Sequence, residues 1–369
     1  MDFTHRLDWP KSVKFADRLG TDHSPVGAIS ELAPHKDPPS SPGESFPPPD
    51  PPASLPNVSI IPDDTRSGTE TSDPRKQFKA DYAFSLYVTD THYLCNALMI
   101  LDSLKAVDTK ATRLLLHPDS WAGQGRTNTR TEWLLAQAVS LGAELRPIQL
   151  QHFEDGEEET WFDSYTKLLA FNQTQFRRVV SLDTDGVVMQ NLDELFSLPA
   201  TPIAAPRAYW LDRNFLSSQI FLIEPSPGEF SRVLDRIQHH GKDDYDMEII
   251  NHLYGSTASI LPHRPYDLLT GEFRRRKNDH AAYLGSADVK WNATAELANA
   301  KYIHFSDWPV PKPWMASTNE VKKNKPVCLA VEGGPPDCAD RDAWLWLYRD
   351  YSQRRKRVCY PPPPSLPPP

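Results

Sequence analysis

The sequence is short of several things, and each shortage removes a class of protein. Its four cysteines, Cys95, Cys328, Cys338 and Cys359, show no Cys-x-x-Cys spacing, so a structural zinc site is not expected. The last three lie in one C-terminal region and could pair in an oxidising compartment. No apolar run approaches the ~20 residues that cross a bilayer. The opening Met1-Asp2-Phe3-Thr4-His5-Arg6 has no apolar signal core. On that reading the chain is soluble, cytoplasmic and without a transmembrane segment. Positive charge is in deficit too. With 40 Lys and Arg against 49 Asp and Glu, the net charge is −9, which argues against nucleic acid as a partner. The basic runs Arg274-Arg275-Arg276-Lys277 and Arg354-Arg355-Lys356-Arg357 are short and read as solvated faces, as does the acidic stretch Glu154 to Glu159. No internal repeat is visible.

What the chain has in excess is proline, 36 residues of 369, concentrated at the two ends. Pro34 to Pro74 and Pro361 to Pro369 cannot bury enough apolar surface to offset their ordering, so both read as disordered or polyproline-like. The organisation expected is a Pro-rich N-terminal region over 1–76, one folded domain over 77–320, a helical extension over 321–358 and a tail over 359–369. Within the domain, strand patterns (Ala83–Val88, Arg113–His117, Glu144–Ile148) alternate with helical ones (Leu94–Ala106, Thr131–Ser140, Asp163–Phe176). Further strands are expected at Ile203–Ala205, Gln219–Ile223 and Tyr302–Phe305. Helices are expected at Phe230–Ile237, Tyr245–Leu253 and around Trp344–Tyr348. This rhythm predicts an α/β fold with βαβ units.

The stretch Val179-Val180-Ser181-Leu182-Asp183-Thr184-Asp185-Gly186-Val187-Val188-Met189 carries the chemistry. An apolar β-branched run predicts a buried strand, and Asp183 and Asp185, two apart, point to one side in extended backbone. Adjacent anions at a strand end repel, and a divalent ion relieves that repulsion; oxygen ligands favour Mg²⁺ or Mn²⁺. The plainer reading is a polar turn that closes a strand.

Over roughly Tyr82 to Trp314 the sequence resembles the retaining family 8 glycosyltransferases, the glycogenin-like group, and in particular their fungal N-acetylglucosaminyltransferase-like members. The resemblance implies a GT-A fold, a Rossmann-like mixed sheet flanked by helices. It implies a UDP-sugar donor, Mn²⁺ (with Mg²⁺ as the other candidate) and transfer of GlcNAc or glucose to a glycan or protein acceptor not identified by sequence. In Thr89-Asp90-Thr91-His92-Tyr93, Thr89 and Asp90 would hold the uracil and Tyr93 would stack on it; an ordinary capped strand-to-helix turn reads nearly as well. In Tyr165-Thr166-Lys167-Leu168, Lys167 would approach the donor. Asp183 and Asp185 would take the family's Asp-x-Asp, with Asp185 on the metal and Asp183 shared between ion and ribose. Ser217, Ser218 and Gln219 stand where the family has Asn-Ser-Gly, facing the donor sugar. Asp246 matches the aspartate near the anomeric carbon, while Met247 replaces a glutamine. In His304-Phe305-Ser306-Asp307-Trp308 and Lys312-Pro313-Trp314, His304 would be the third metal ligand and Lys312 would reach the diphosphate. A homodimer and a Golgi location are also compatible with the resemblance; the sequons at Asn57, Asn172 and Asn292 matter only on that secretory route.

Two other readings stand beside it. Asp-x-Asp-Gly-Val also resembles the first motif of haloacid-dehalogenase-type phosphatases, in which the first Asp is a nucleophile, and Gly241-Lys242-Asp243-Asp244-Tyr245-Asp246 resembles their later acidic motif. The third reading is a protein that binds a nucleotide-sugar without turning it over.

Overall fold

The computed structural model describes residues 73–123, 128–151, 163–242, 244–276 and 279–360. The proline-dense stretches up to residue 72 and from 361, and the acidic stretch Glu154 to Glu159, lie outside the described residues.

Among the described residues the strands form two sheets. The larger has the order β3-β2-β1-β4-β7-β6-β8, from Ala143–Ile148, Thr112–Pro118, Tyr82–Tyr87, Arg178–Leu182, Ile220–Ile223, Ile203–Pro206 and Ser259–Leu261. The first four are mutually parallel, β7 runs antiparallel to β4 and β6, and β8 is parallel to β6, so the sheet is mixed. The smaller sheet is β5-β10-β9, from Gly186–Val188, Tyr302–His304 and Leu268–Leu269. Helices α1 (Pro74–Asp81), α2 (Thr91–Ala106), α3 (Thr129–Ser140), α4 (Pro227–Gln238) and α5 (Asp246–Tyr254) are joined by the shorter α6 (His263–Tyr266), α7 (Ala281–Leu284), α8 (Ala293–Asn299) and α9 (Thr318–Asn324), and by the long α10 (Ala339–Cys359). The expected α/β architecture, a mixed sheet flanked by helices, is present.

Both faces of the large sheet's central strands are buried, which explains why those strands read as continuous apolar runs. Successive side chains go to opposite faces. Phe84, Leu115, Val180 and Leu222 pack in one core with α2 and α10, while Ala83, Leu114, Val179 and Phe221 pack in another with Tyr165, Leu168 and α5.

Several expectations are adjusted. The helix expected over Asp163–Phe176 is a 3₁₀ segment, Ser164–Asn172, buried along its length. The helix expected near Trp344 runs 21 residues to Cys359. The run Arg354–Arg357 on it is not simply solvated. Arg354 and Arg357 pair with Asp102 of α2, and Arg355 hydrogen bonds Asn96. The pairing expected within the C-terminal group is present, and a second bond leaves it. Cys328 bonds Cys338, but Cys359 reaches Cys95, 264 residues away, and fastens α10 to α2. A sequence pattern carries no signal for a pairing at that distance.

Candidate active site

Strand order fixes where the site falls. From β1 the chain builds β2 and β3 to one side and then returns to place β4 on the other, so the order reverses between β1 and β4. In open α/β sheets ligands gather beyond the carboxyl ends of the strands at such a point. Thr89 and Asp90 follow β1, and Asp183 to Asp185 follow β4, its parallel neighbour.

The turn between β4 and β5 is held on three sides. The Asp183 amide donates to the Gln219 carbonyl (2.9 Å), the Tyr302 hydroxyl donates to the Asp183 carbonyl (2.9 Å), and the Phe305 amide donates to the Asp185 carbonyl (2.9 Å). Gly186 opens β5 beneath the phenol of Tyr302; a β-carbon there would overlap the ring. Antiparallel pairing of β5 with β10 sets His304 opposite Gly186. The ligand atoms of Asp183, Asp185 and His304 consequently lie within 4.8 Å of one another.

Electrostatics at this cluster are tightly matched. His304 Nε2 lies 2.8 Å from Asp185 Oδ1 and 3.8 Å from Asp183 Oδ2. Lys312 Nζ lies 2.7 Å from Asp185 Oδ2 and also donates to the Phe305 carbonyl. Lys167, only 4% exposed, places Nζ 2.7 Å from both Asp183 Oδ1 and Asp246 Oδ2 and donates to the Ser218 carbonyl. Burial would raise Asp185, but His304 and Lys312 outweigh it and hold the carboxyl well below the usual range. Asp183 goes the other way. Burial and the Asp185 charge prevail over Lys167 and push it up to about 7. Burial favours a neutral His304 despite Asp185, and Lys167 is kept protonated against burial by Asp183 and Asp246.

These residues fit a divalent cation. Two carboxylates and a neutral imidazole are a hard-to-borderline donor set. Lys167 occupies Oδ1 of Asp183 and leaves Oδ2 facing the imidazole. Among the described residues the carboxylates of Asp183, Asp185 and Asp246 face two lysines at close range, which leaves room for a further positive charge.

The other expected residues are placed as follows. Asp90 caps α2, its Oδ1 accepting from the amides of His92 (2.7 Å) and Tyr93 (2.9 Å), so the capping role read beside the nucleotide role is present. Tyr93 stands edge-on to Trp314 with ring centroids 6.0 Å apart; burial, with Asp185 nearby, raises its hydroxyl to about 12. Thr89 is half-buried just past the end of β1. Ser217, Ser218 and Gln219 are buried, and the Gln219 side-chain oxygen has no hydrogen-bond partner. Lys312 rests on Asp185, which is the carboxylate expected to carry the metal. Asp246 begins α5, where the helix dipole supports its charge.

The sequence reading missed three groups. Asp267 is fully buried between β9 and Ser217, and burial pushes its carboxyl up to about 8; Ser217 is close enough to oppose that, yet neither carboxylate oxygen has a well-formed hydrogen bond. Tyr302 holds the turn, and Tyr87, half-buried at the end of β1, lies within the field of Lys167, Asp183 and Asp246. Only the side-chain alternation of β10 could have pointed to Tyr302.

The fold and site thus define an α/β protein with an Asp-Asp-His cluster at a strand-order reversal. Compared with family models, the chain matches none. It is 48% identical over 286 residues to Glucose N-acetyltransferase 1 of Gibberella zeae, covering 75% of this chain and 62% of that protein. It is 40% identical over 297 residues to Glucose N-acetyltransferase 1 of Aspergillus fumigatus, covering 75% of this chain and 77% of that one. It is 24% identical over 269 residues to UDP-glucuronate:xylan alpha-glucuronosyltransferase 2 of Arabidopsis thaliana, covering 70% and 39%. Among solved structures it is similar to a galactosyltransferase, LgtC, in complex with donor and acceptor sugar analogs, at 13% identity and a TM-score of 0.49, covering 76% of this chain and 97% of that one. The chain belongs to the Glucose N-acetyltransferase 1 family, and spans less than two thirds of the length of the Gibberella zeae member.

Proposed function

We propose that the chain is a metal-dependent retaining glycosyltransferase of GT-A type that moves a sugar, GlcNAc or glucose, from a UDP-sugar to a glycan or protein acceptor. The observation that carries this is the meeting of Asp183, Asp185 and His304 within 4.8 Å, beside the Lys167–Asp246 ion pair. One set of relatives carries the name Glucose N-acetyltransferase 1, and the name of the Arabidopsis relative, UDP-glucuronate:xylan alpha-glucuronosyltransferase 2, supports transfer from a UDP-linked sugar.

In this reading Asp183, Asp185 and His304 would hold Mn²⁺, or Mg²⁺, which would supply Lewis-acid withdrawal of charge from the diphosphate. Lys312, 35% exposed at its side chain, is free to exchange Asp185 for a diphosphate oxygen. Thr89, Asp90 and Tyr93 line the uracil end; Ser217, Ser218 and Gln219 face the sugar. The bond from the anomeric carbon to the diphosphate breaks, the acceptor oxygen bonds that carbon from the same face, and its proton passes to the departing phosphate oxygen. No strong protein base is needed. Asp246, fixed by Lys167, offers negative charge beside the anomeric centre as positive charge develops there.

The phosphatase reading is not favoured. Its first motif would open the fold, yet three strands precede β4 here, and it gives His304 and Lys312 no work. As to compartment, no described helix is long and apolar enough to cross a membrane. Two disulfides, leaving none of the four cysteines free, favour an oxidising lumen over the cytoplasm. The test is a panel of UDP-sugars with Mn²⁺, run against p-nitrophenyl phosphate. UDP release from UDP-GlcNAc or UDP-glucose, without phosphate-monoester hydrolysis, is expected; the reverse pattern overturns the reading.

A further inference from the structure

Trp308 is 90% exposed, whereas every other described tryptophan is buried or half-buried. An indole held this far into water leaves a large apolar face open to a ligand. The loop that carries it is tied down on both sides. The Gly271 amide donates to the Ser306 carbonyl (3.0 Å), and a β-carbon on Gly271 would press on that same carbonyl. The Asp307 carboxylate receives Arg274 (2.7 Å) and the buried Trp344 indole (2.9 Å), and the Val310 amide closes the turn on the Asp307 carbonyl (2.7 Å). With Asp307 turned inward and Val310 buried, the loop holds Trp308 outward.

Position narrows what the indole would meet. The loop's two flanks end on one carboxylate, His304 on Asp185 Oδ1 and Lys312 on Asp185 Oδ2. Trp308 is four residues from each, so at no more than about 3.6 Å per residue its Cα lies within about 14 Å of both Cα atoms. That is the scale of a short oligosaccharide. Past Lys312 a second apolar side chain, Met315, is 67% exposed. The groups expected to face the donor sugar, Ser217, Ser218 and Gln219, are buried and polar, whereas Trp308 and Met315 are exposed and apolar. A flat aromatic face suits the C–H face of a pyranose, because such contact buries apolar area without having to satisfy hydroxyls.

We propose that Trp308 is a stacking platform for a pyranose ring of the acceptor glycan, an inference that rests on the glycosyltransferase reading. Trp308 acts on acceptor affinity and specificity and takes no part in breaking the donor bond.

The test applies the full chain, with Mn²⁺ and UDP, to an array of pyranoside-terminated oligosaccharides, and in parallel measures UDP release from UDP-GlcNAc without acceptor. The wild-type chain is expected to bind at least one glycan class. Trp308→Ala should weaken that binding by about tenfold, the scale of one aromatic contact, and Trp308→Phe should recover most of it. Both variants should release UDP at the wild-type rate. The inference is overturned if the wild-type chain binds no glycan, if Trp308→Ala binds equally well, or if Trp308→Ala loses UDP release in the same proportion, which would mark a structural role. It is overturned equally if Trp308→Ala only turns a dimer into a monomer. Absence of UDP release from the wild-type chain would instead count against the glycosyltransferase reading.

Discussion

His304 and Asp185, 119 residues apart in the chain, meet at 2.8 Å. The contact exists because β10 pairs antiparallel with β5 and so brings the imidazole beside the turn that follows β4. The candidate chemistry of the molecule depends on this meeting of two strands that are far apart in the chain.

Lys167 offers a direct check on the charge balance. Lys167→Met would leave the carboxylates of Asp183 and Asp246 buried without their shared cation. A loss of about 3–5 kcal/mol in stability is expected, as for other broken buried pairs. Asp246→Asn keeps Lys167 paired with Asp183, so it should cost less stability but lower kcat for UDP release about 100-fold, the scale of a lost electrostatic contact to a transition state. Thermal unfolding and steady-state kinetics separate the two effects.

Asp267 predicts a pH dependence of stability. Its carboxyl is raised by burial to about 8 in the folded chain from an ordinary value of 3.8. Between those values the folded state holds a proton that the unfolded state has lost, so stability falls as pH rises through the window. One proton gives a slope of about 1.4 kcal/mol per pH unit at most. Asp267→Asn should flatten the fall between pH 5 and 8, measured by denaturant unfolding at each pH; an unchanged profile would contradict the assignment.

Gly186 is required by close approach, since its backbone dihedral is not of the left-handed kind. Gly186→Ala would force the Tyr302 ring away from the turn. Such overpacking costs about 1–3 kcal/mol, and because Tyr302 holds the Asp183 carbonyl, Mn²⁺ affinity should fall as well. Isothermal titration with Mn²⁺ alongside a melting curve measures both.

The Cys95–Cys359 bond fastens the end of α10 over α2. Cys95→Ser/Cys359→Ser should lower stability by about 2–5 kcal/mol, the usual loss for a native disulfide, and the unreduced native chain should show no free thiol on alkylation and mass measurement.

How much of this was legible in the sequence depends on how far apart the partners lie. The runs at Phe84, Leu115 and Val180 announced the sheet because a strand buried on both faces reads as continuous hydrophobicity. Asp183 and Asp185 were visible as a pair because their spacing of two is a local property. His304 entered only through its likeness to a family motif; nothing in its own neighbourhood tells a ligand from a core histidine. Asp267, flanked by the ordinary apolar pair Leu268-Leu269, gave no pattern, since its burial is set by a sheet assembled from three distant segments. The length of α10 was hidden by its arginines, whose partners Asn96 and Asp102 lie over 250 residues away.

The central claim is tested most directly by UDP release from UDP-GlcNAc in the metal-stripped chain as Mn²⁺ is returned, for wild type, Asp185→Asn and His304→Ala. The account predicts that wild-type activity appears with Mn²⁺ and vanishes with chelator, and that each variant loses on the order of 100-fold or more. Turnover without metal, or undiminished turnover in both variants, would contradict it.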